Sequence, residues 1–415
     1  MRGLKILCIL FGVLLSTIIG CNGSSDSCIR LYKEGGAPAV FQSPECSFEY
    51  VRLRIHNQST VCQFASIKGR REYQEDRVLC DLDMKIDLFD VGLDTEKVFN
   101  YKIDFDAGSC DQEYLKIGLA AVFDGHGGKE ASELAVQLFP YYLQLHISFL
   151  SQKEMKFFED RHTMAYPLET EVNPFETYLG RCLDKTKTKE LIQEAILLTI
   201  HDIDSTFSQV ALKRHLLAGT TATIALLMDN ELVVANVGDS KALLCSEKLH
   251  NNEGTSLSIL DVVELTKDHH PDRDDEKARI EDSGGFVTLS GVPRVNGILA
   301  VSRSIGDVYL KRYGVISEPE FVDWRLLNAR EVILVVASDG IFESLSTQEV
   351  CTHLHNTHSQ AEDQKRWTSK SEPSSLAECL VNTALNKGST DNLSVVVVPL
   401  RSYEWFLENV QRESI

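Results

Sequence analysis

Short apolar runs without helical spacing recur along the chain, and such runs predict buried β-strands. Residues 119–123, 332–337 and 393–398 are clear examples, and the last contains a single serine. Residues 221–227 and 232–237 form a pair separated by Met-Asp-Asn-Glu, which predicts a β-hairpin. The pattern therefore indicates a core that is rich in strands.

A helical spacing of apolar residues predicts a long helix over residues 189–213. Two Ser-x-x-Glu sequences, beginning at Ser346 and Ser375, predict capping boxes that open two later helices, the second of which ends near Gly388. The stripe over 189–213 indicates a face that packs on the core, and its members are Ile192, Ala195, Ile196, Ile203 and Phe207.

Composition divides the chain into four segments. Residues 1–23 combine a basic start, an apolar run and a small polar exit, which predicts a secretory signal peptide. Because the apolar run is short for a membrane span, an uncleaved signal anchor is the alternative. Residues 24–57 are interpreted as an irregular N-terminal extension, broken by Gly-Gly-Ala-Pro. Residues 58–400 form one domain without repeats or a long linker, and residues 401–415 form a C-terminal tail.

The 415 residues carry a formal net charge of -19, with 43% hydrophobic and 25% charged residues. A chain of this composition can build a large core. The acidic balance argues against nucleic acid or an anionic membrane surface as the main partner, because both repel an acidic protein. A membrane tether through the N-terminal apolar segment stays open, and we expect a monomer.

The eleven cysteines lack Cys-x-x-Cys spacing, so a zinc site is not expected. If the chain enters the secretory pathway, Cys28, Cys46 and Cys62 are the cysteines that we expect to pair. Asn57 and Asn392 each begin a glycosylation sequon, but the second lies inside a motif described below and is not expected to carry a glycan. The expected location is the secretory pathway or a membrane anchor, with the topology left open.

Acidic residues stand where four strand-like segments end or begin. Asp124 and Asp339 each follow an apolar run and precede glycine, whereas Asp391 precedes an apolar run. Glu75 and Asp76 precede a fourth apolar segment. Each aspartate taken alone also fits an ordinary turn. Together, carboxylates from four distant segments suit hard divalent ions such as Mg²⁺ or Mn²⁺, which would also relieve their mutual repulsion.

These acids belong to an ordered series of motifs that resembles the metal-dependent protein serine/threonine phosphatases of the PP2C (PPM) family. The resemblance covers roughly residues 58 to 400, and it is specific because several independent motifs occur in the family's order. It implies an α+β fold, a four-layer α-β-β-α sandwich of two antiparallel sheets flanked by helices. The motifs are Glu75-Asp76, Asp124-Gly125-His126-Gly127-Gly128, Gly219-Thr220-Thr221-Ala222, Gly238-Asp239-Ser240, residues 299–307, Asp339-Gly340 and Asp391-Asn392.

The resemblance implies hydrolysis of phosphoserine and phosphothreonine in proteins. In this family a hydroxide that bridges two Mg²⁺ or Mn²⁺ ions attacks phosphorus directly, so no phosphoenzyme forms. By the same resemblance Asp124 bridges the two ions and the backbone carbonyl of Gly125 binds one of them. Asp339 and Asp391 bind the other ion.

The resemblance assigns roles to five further residues. Glu75 and Asp76 would hold metal-bound waters or touch the ions directly. Arg71 would bind the substrate phosphate, since a guanidinium offers paired donors, although a plain surface arginine is the alternative. His126 would protonate the departing alkoxide, or else have a structural role. Asp239 would hold a third ion or simply form a turn.

The sequence departs from the family pattern at two positions. Glu343 stands where many relatives have the second aspartate of Asp-Gly-x-x-Asp, and Lys241 replaces the arginine of Gly-Asp-Ser-Arg. Residues 84–114 and 151–187 are longer than a minimal domain needs, and they are interpreted as surface insertions that select substrates or partners, or as plain loops. The alternative function is a catalytically inactive pseudophosphatase that acts as a binding module. A nuclease fits two-metal chemistry but not the acidic balance.

Overall fold

A computed structural model describes residues 25–44, 46, 62–87, 114–165, 185–252, 255–367 and 375–400. The predicted signal peptide and the predicted C-terminal tail lie outside these residues. No helix in the described part of the chain is both long enough and apolar enough to cross a membrane. The described residues form two compact units, one from residues 25–46 and 145–165, and the other from residues 62–86, 114–144 and 185–400.

The helices are α1 Ser25–Gln42, α2 Glu130–Ala165, α3 Lys185–Arg214, α4 Asp274–Asp282, α5 Val308–Lys311, α6 Asp339–Phe342, α7 Thr347–Trp367 and α8 Leu376–Asn386. The strands are β1 Gln63–Ile67, β2 Arg77–Asp87, β3 Tyr114–Phe123, β4 Gly125–His126, β5 Gly219–Thr220, β6 Ala222–Met228, β7 Glu231–Val237, β8 Lys241–Asn252, β9 Thr255–Glu264, β10 Val287–Thr288, β11 Arg294–Val295, β12 Ile305–Gly306, β13 Glu320–Leu326, β14 Glu331–Ala337 and β15 Leu393–Pro399.

The smaller unit contains a helix that the sequence did not predict. Residues 24–57 were expected to be irregular, yet α1 spans Ser25–Gln42 and is kinked at its two glycines, where Gly36 has a φ of 63°. The glycines therefore break the helix but do not abolish it, because Pro38 falls in the first turn after the kink, where it loses no hydrogen bond. A disulfide between Cys28 and Cys46 closes the segment. The ring of Tyr32 stacks on Phe149 with centroids 4.3 Å apart.

The larger unit is built on two five-stranded sheets. Sheet I has the strand order β1-β15-β14-β8-β9, and sheet II has the order β13-β7-β6-β3-β2. Neighbouring strands of sheet I run antiparallel, as do β13, β7, β6 and β3 of sheet II. Two small sheets, β12-β5-β4 and β10-β11, accompany them.

One apolar layer lies between the two sheets. Ala120 and Val122 of β3 belong to the same buried cluster as Leu334 and Val336 of β14. Because side chains alternate along a strand, the residues between these positions face the outer sides of the sandwich. The two sheets therefore share one core, and the outer face of each sheet needs another layer to bury its apolar residues.

Helices cover both outer faces. Val335 of β14 packs in one cluster with Leu354 of α7 and Leu380 of α8. On sheet II, the ring of Phe123 faces Phe139 of α2 with centroids 6.1 Å apart. These contacts give the order helix, sheet, sheet, helix, so the predicted four-layer α+β sandwich is confirmed.

The predicted helix over residues 189–213 is confirmed as α3, with all five stripe residues buried. The predicted hairpin is confirmed as β6 and β7. The capping box at Ser346 is confirmed as well, since the Ser346 amide donates to Glu349 Oε2 at 2.9 Å and the Glu349 amide donates to Ser346 Oγ at 3.3 Å.

The second capping box is wrong. Helix α8 begins after Ser375, but the buried Ser375 hydroxyl makes no hydrogen bond to described residues. The Leu376 amide instead donates to Gln63 Oε1 at 2.6 Å. A partner from a strand 313 residues away thus stabilises the start of this helix, and no local motif encodes it.

The two predicted insertions overlap regular elements at their ends. Met84 belongs to β2 and Ser151 to α2, and both side chains are buried. The insertion prediction is wrong for these ends, because β2 keeps alternate residues buried through Met84 and Ile86. Residues 88–113 and 166–184 lie outside the described part of the chain.

Candidate active site

The ends of strands from both sheets carry the predicted acidic residues. In sheet II, Asp124 follows β3 and Asp239 follows β7, and β6 lies between these two strands. In sheet I, Asp339 follows β14 and Asp391 precedes β15, where Ala337 pairs with Val395. Glu75 joins the two sets, since its amide donates to Asn392 Oδ1 at 2.8 Å and its carbonyl oxygen lies against Gly125. The fold therefore joins acids that are hundreds of residues apart in sequence.

The backbone around Asp124 is fixed by neighbouring chain segments. The Asp124 amide donates to Thr221 Oγ1 at 3.1 Å, and the Thr221 amide donates to the Asp124 carbonyl at 2.9 Å. At Gly125 a Cβ atom would collide with the Glu75 carbonyl oxygen, so only glycine lets these two segments approach so closely. The Gly-Thr-Thr motif thus positions Asp124, a role that its sequence pattern did not reveal.

The buried carboxyl groups resist ionisation. Burial, together with the charges of Asp76 and Asp339, raises the pKa of Asp124 well above its ordinary value. Burial raises the pKa of Asp76 to about 6, and burial with the nearby Asp239 raises that of Asp339 to about 7. The pKa of Asp239 is raised mainly by burial. Several carboxylates at one point destabilise one another's charged forms.

Asp76 is the least satisfied of these acids. Both of its carboxylate oxygens are buried and have no hydrogen-bond partner of normal geometry in the described chain, although the Ser338 and Ser394 hydroxyls lie nearby. Among the described residues, no three His, Cys, Asp or Glu side chains already form a group that could hold a metal ion. The site is therefore a convergence of buried carboxylates and not a closed ligand cage.

His126 lies beside this convergence on β4. Its Nε2 lies 2.7 Å from Asp307 Oδ2, and Ser304 Oγ donates to the same oxygen at 2.7 Å. Burial opposes the charged form of the imidazole, but the Asp307 carboxylate prevails and raises the pKa of His126. Asp307 lies in the motif of residues 299–307, but the sequence did not predict a role for it. Its partner, His126, is 181 residues away in the chain.

Comparisons with known proteins identify the family of this chain. Residues 95–393 match the family model described as protein phosphatase 2C. The chain belongs to the protein phosphatase 2C family. "Probable protein phosphatase 2C 51" of Arabidopsis thaliana is 41% identical, over 95% of this chain and 82% of the relative. "Putative protein phosphatase 2C 76" of Oryza sativa subsp. japonica is 35% identical, over 92% of this chain and 86% of the relative.

Solved structures share the fold at low sequence identity. The serine-threonine phosphatase 2C from Toxoplasma gondii matches with a TM-score of 0.59 and 19% identity, over 83% of this chain and 96% of that chain. A C. elegans sex determining protein matches with a TM-score of 0.51 and 20% identity, over 92% of this chain and 75% of that chain. As a protein phosphatase 2C, the chain is a protein serine/threonine phosphatase, a hydrolase of a family that generally depends on metal ions.

In this phosphatase, Arg71 lies at the rim of the acidic site. Its side chain is half exposed, and Nη2 lies 2.5 Å from Asp391 Oδ2. Asn392 ties the Arg71 loop to the same turn, because its Nδ2 donates to the carbonyls of Lys68 and Tyr73 at 2.9 Å each. The Asn392 side chain is thus buried and engaged, in line with the expectation that it carries no glycan.

Glu75 also joins this loop to the Asp391 turn. Its amide donates to Asn392 Oδ1 at 2.8 Å, and its carbonyl accepts the Ser132 hydroxyl. The sequence analysis placed Asn392 in a motif but did not predict the three hydrogen bonds of its side chain, all of which reach residues more than 300 positions away.

The two departures from the family pattern have partners of their own. Lys241 Nζ lies 2.5 Å from both carboxylate oxygens of Asp268. Glu343 Oε2 accepts hydrogen bonds from the Thr390 amide at 2.8 Å and from Ser389 Oγ at 3.1 Å. Both side chains are therefore committed to neighbouring loops of this phosphatase.

Proposed function

We propose that the converging carboxylates of this phosphatase hold two Mg²⁺ or Mn²⁺ ions, and that Asp239 contributes to a third. The observation that carries the proposal is the pair of buried Asp76 oxygens, which have no hydrogen-bond partner of normal geometry among the described residues and lie amid acids whose pKa values are raised. Buried charges without partners are strongly unfavourable, and oxygen ligands are the ones that these hard cations prefer. The residues present thus fit the metal that the family uses.

The proposed ligands follow from position. Asp124 would serve from the end of β3 in sheet II and the Gly125 carbonyl from β4, while Asp339 and Asp391 would serve from the ends of β14 and β15 in sheet I. Asp76 contributes its unpartnered oxygens, with Glu75 beside it. The bound ions would supply a water of lowered pKa and neutralise the phosphoryl oxygens.

Two further residues act on the substrate in this proposal. Arg71 uses Nη2 for Asp391, and its guanidinium carries further N–H donors that can take two phosphate oxygens. His126 holds a proton for the departing serine or threonine alkoxide, and Asp307 favours that protonated state. Retention of the acids, the arginine and the histidine favours an active enzyme over a binding module.

A phosphatase assay tests this function. The purified full chain should release phosphate from a phosphothreonine peptide when Mn²⁺ is added, and EDTA should stop the release. An Arg71→Ala variant should raise KM more than it lowers kcat, because Arg71 binds phosphate in both substrate and transition state. Folded protein that shows no Mn²⁺-dependent turnover on any phosphopeptide would overturn the proposal.

We also propose that the protein works in an oxidising compartment, such as the secretory pathway. In the described chain, disulfides join Cys28 to Cys46, Cys62 to Cys80 and Cys245 to Cys351, and such bonds persist where thiols are not kept reduced. We expected Cys28, Cys46 and Cys62 to pair from the sequence, but we did not predict the buried disulfide between Cys245 and Cys351. Expression of the full chain with a C-terminal tag should show N-glycosylation at Asn57, and unmodified, untranslocated protein would contradict this location.

A further inference from the structure

The carboxylate of Glu343 joins two turns that carry proposed metal ligands. Asp339 and Glu343 belong to one turn, since the Glu343 amide donates to the Asp339 carbonyl at 3.0 Å. Across from it, the turn before β15 presents Ser389 and Thr390 directly ahead of Asp391. Glu343 is thus tied by its backbone to one ligand and faces the turn that bears the other.

The second turn binds Glu343 through three donors. Glu343 Oε2 accepts the Thr390 amide at 2.8 Å, Ser389 Oγ at 3.1 Å and Thr390 Oγ1 at 3.3 Å. Hydrogen bonds to a carboxylate are stronger than those between neutral groups. Thr390 therefore cannot move away from Glu343 without losing a charge-assisted backbone bond.

The two turns also pack closely through their backbones. A Cβ atom at Gly340 would collide with the Asn392 carbonyl oxygen, and Ser389 Oγ lies 2.8 Å from the Gly340 carbonyl. Only glycine fits at this point, so the two turns lie in direct backbone contact. Glu343 adds a polar contact between the same two turns.

We propose that Glu343 is a positioning residue that sets the separation of Asp339 and Asp391, so that both can bind the same ion. The inference rests on the proposed metal site and adds a residue to it. The glutamate side chain reaches Thr390 from the turn that carries Asp339, and an aspartate would be one methylene shorter. Glu343 thereby acts on the metal through the geometry of two ligands and without contacting substrate.

The test compares Glu343→Ala and Glu343→Asp with a control variant, Glu349→Ala. Glu349 also accepts three hydrogen bonds, from the Ser346 amide and hydroxyl at 2.9 Å each and from Lys387 Nζ at 2.7 Å, but it joins no proposed ligand turns. Partners that orient metal ligands typically affect metal affinity by about 10- to 100-fold. Calorimetry with Mn²⁺ should therefore show a loss of that size for both Glu343 variants and none for the control.

A second measurement needs no metal. Hydrogen exchange in the metal-free full chain should show faster exchange of the Thr390 amide in both Glu343 variants than in the wild type or the control. At saturating Mn²⁺ the variants should keep most of their kcat, since the defect lies in ligand placement. Wild-type affinity for Mn²⁺ in Glu343→Asp, or an unchanged Thr390 amide in Glu343→Ala, would overturn the positioning role. A wild-type chain that binds Mn²⁺ but never turns over phosphopeptide would refute the proposed function alone.

Discussion

Two regions of the larger unit contain buried carboxyl groups, and the pKa values of these groups shift in opposite directions. Glu276 on α4 is fully buried, and Arg279 Nη1 and Arg303 Nη2 contact it at 2.8 and 2.7 Å. Although burial opposes ionisation, these partners hold the pKa of Glu276 well below its ordinary value. At the strand ends, burial instead raises the pKa of Asp76 and Asp339.

The two regions differ in the source of the positive charge that balances their carboxylates. Glu276 has its positive charges within the chain, so the region is complete as folded. The acids at the strand ends repel one another, and among them Arg71 forms an ion pair with Asp391 alone in the described structure. Burying uncompensated charge is costly, so such a cluster persists where a ligand that binds the native state stabilises it. The contrast separates a structural buried acid from a functional one without any knowledge of the family.

The largest expected effect comes from Asp124→Asn. Loss of this proposed metal ligand should reduce kcat/KM about 10³-fold, since several kcal/mol of electrostatic stabilisation would disappear. The metal-free variant should unfold at the same or a higher temperature than the metal-free wild type, because one member of a repelling cluster is gone. Phosphopeptide assays and thermal unfolding with EDTA measure the two effects. An active variant, or one that unfolds well below the wild type, would place Asp124 among the structural acids.

Glu276→Ala should give the opposite combination. Removing one partner of a buried ion-pair network leaves Arg279 and Arg303 without their counter-charge, which typically costs about 3–5 kcal/mol of unfolding free energy. Chemical denaturation measures this loss. The Mn²⁺ affinity of the protein that remains folded should match the wild type. A stability change below about 1 kcal/mol would mean that this cluster is not the compensated site that its contacts indicate.

Local patterns in the sequence predicted much of this molecule because local chemistry decides those parts. Apolar runs predicted β14 and β15 of sheet I and β3, β6 and β7 of sheet II, and the helical stripe predicted α3 with five of its nine buried residues. The proposed ligands could be named because each acid sits at the end of such a run. Their convergence came from the family resemblance, since no local pattern states which strand ends meet.

The misses share a physical cause, which is a partner distant in sequence. Ser375 has the same Ser-x-x-Glu pattern as Ser346, yet Gln63 replaces it at the helix start. Asp307 meets His126 across 181 residues. Helix α1 survives its two glycines while the Cys28–Cys46 bridge closes its segment. In each case a tertiary contact overrode or completed a local preference.

The last expected effect is small per pH unit but definite in sign, and it is the pH dependence of the metal-free protein. The pKa of Asp339 rises from an ordinary 3.8 to about 7 on folding, so the native state binds more protons between these values. Its contribution to stability is therefore full below pH 3.8 and is lost as the pH rises through about 7. Relative to Asp339→Asn, the wild type with EDTA should lose up to about 1.4 kcal/mol of unfolding free energy per pH unit in this window.

Glu276 should give the reverse slope, since a depressed pKa contributes stability above 4.5, its ordinary value, that is lost on acidification. Saturating Mn²⁺ should abolish the loss at Asp339, because binding favours the ionised carboxylate that higher pH supplies. Denaturation curves of the wild type, Asp339→Asn and Glu276→Ala at several pH values, each with EDTA and with Mn²⁺, measure both slopes. A difference between the two proteins that does not vary with pH in EDTA would mean that Asp339 is already compensated within the chain, as Glu276 is.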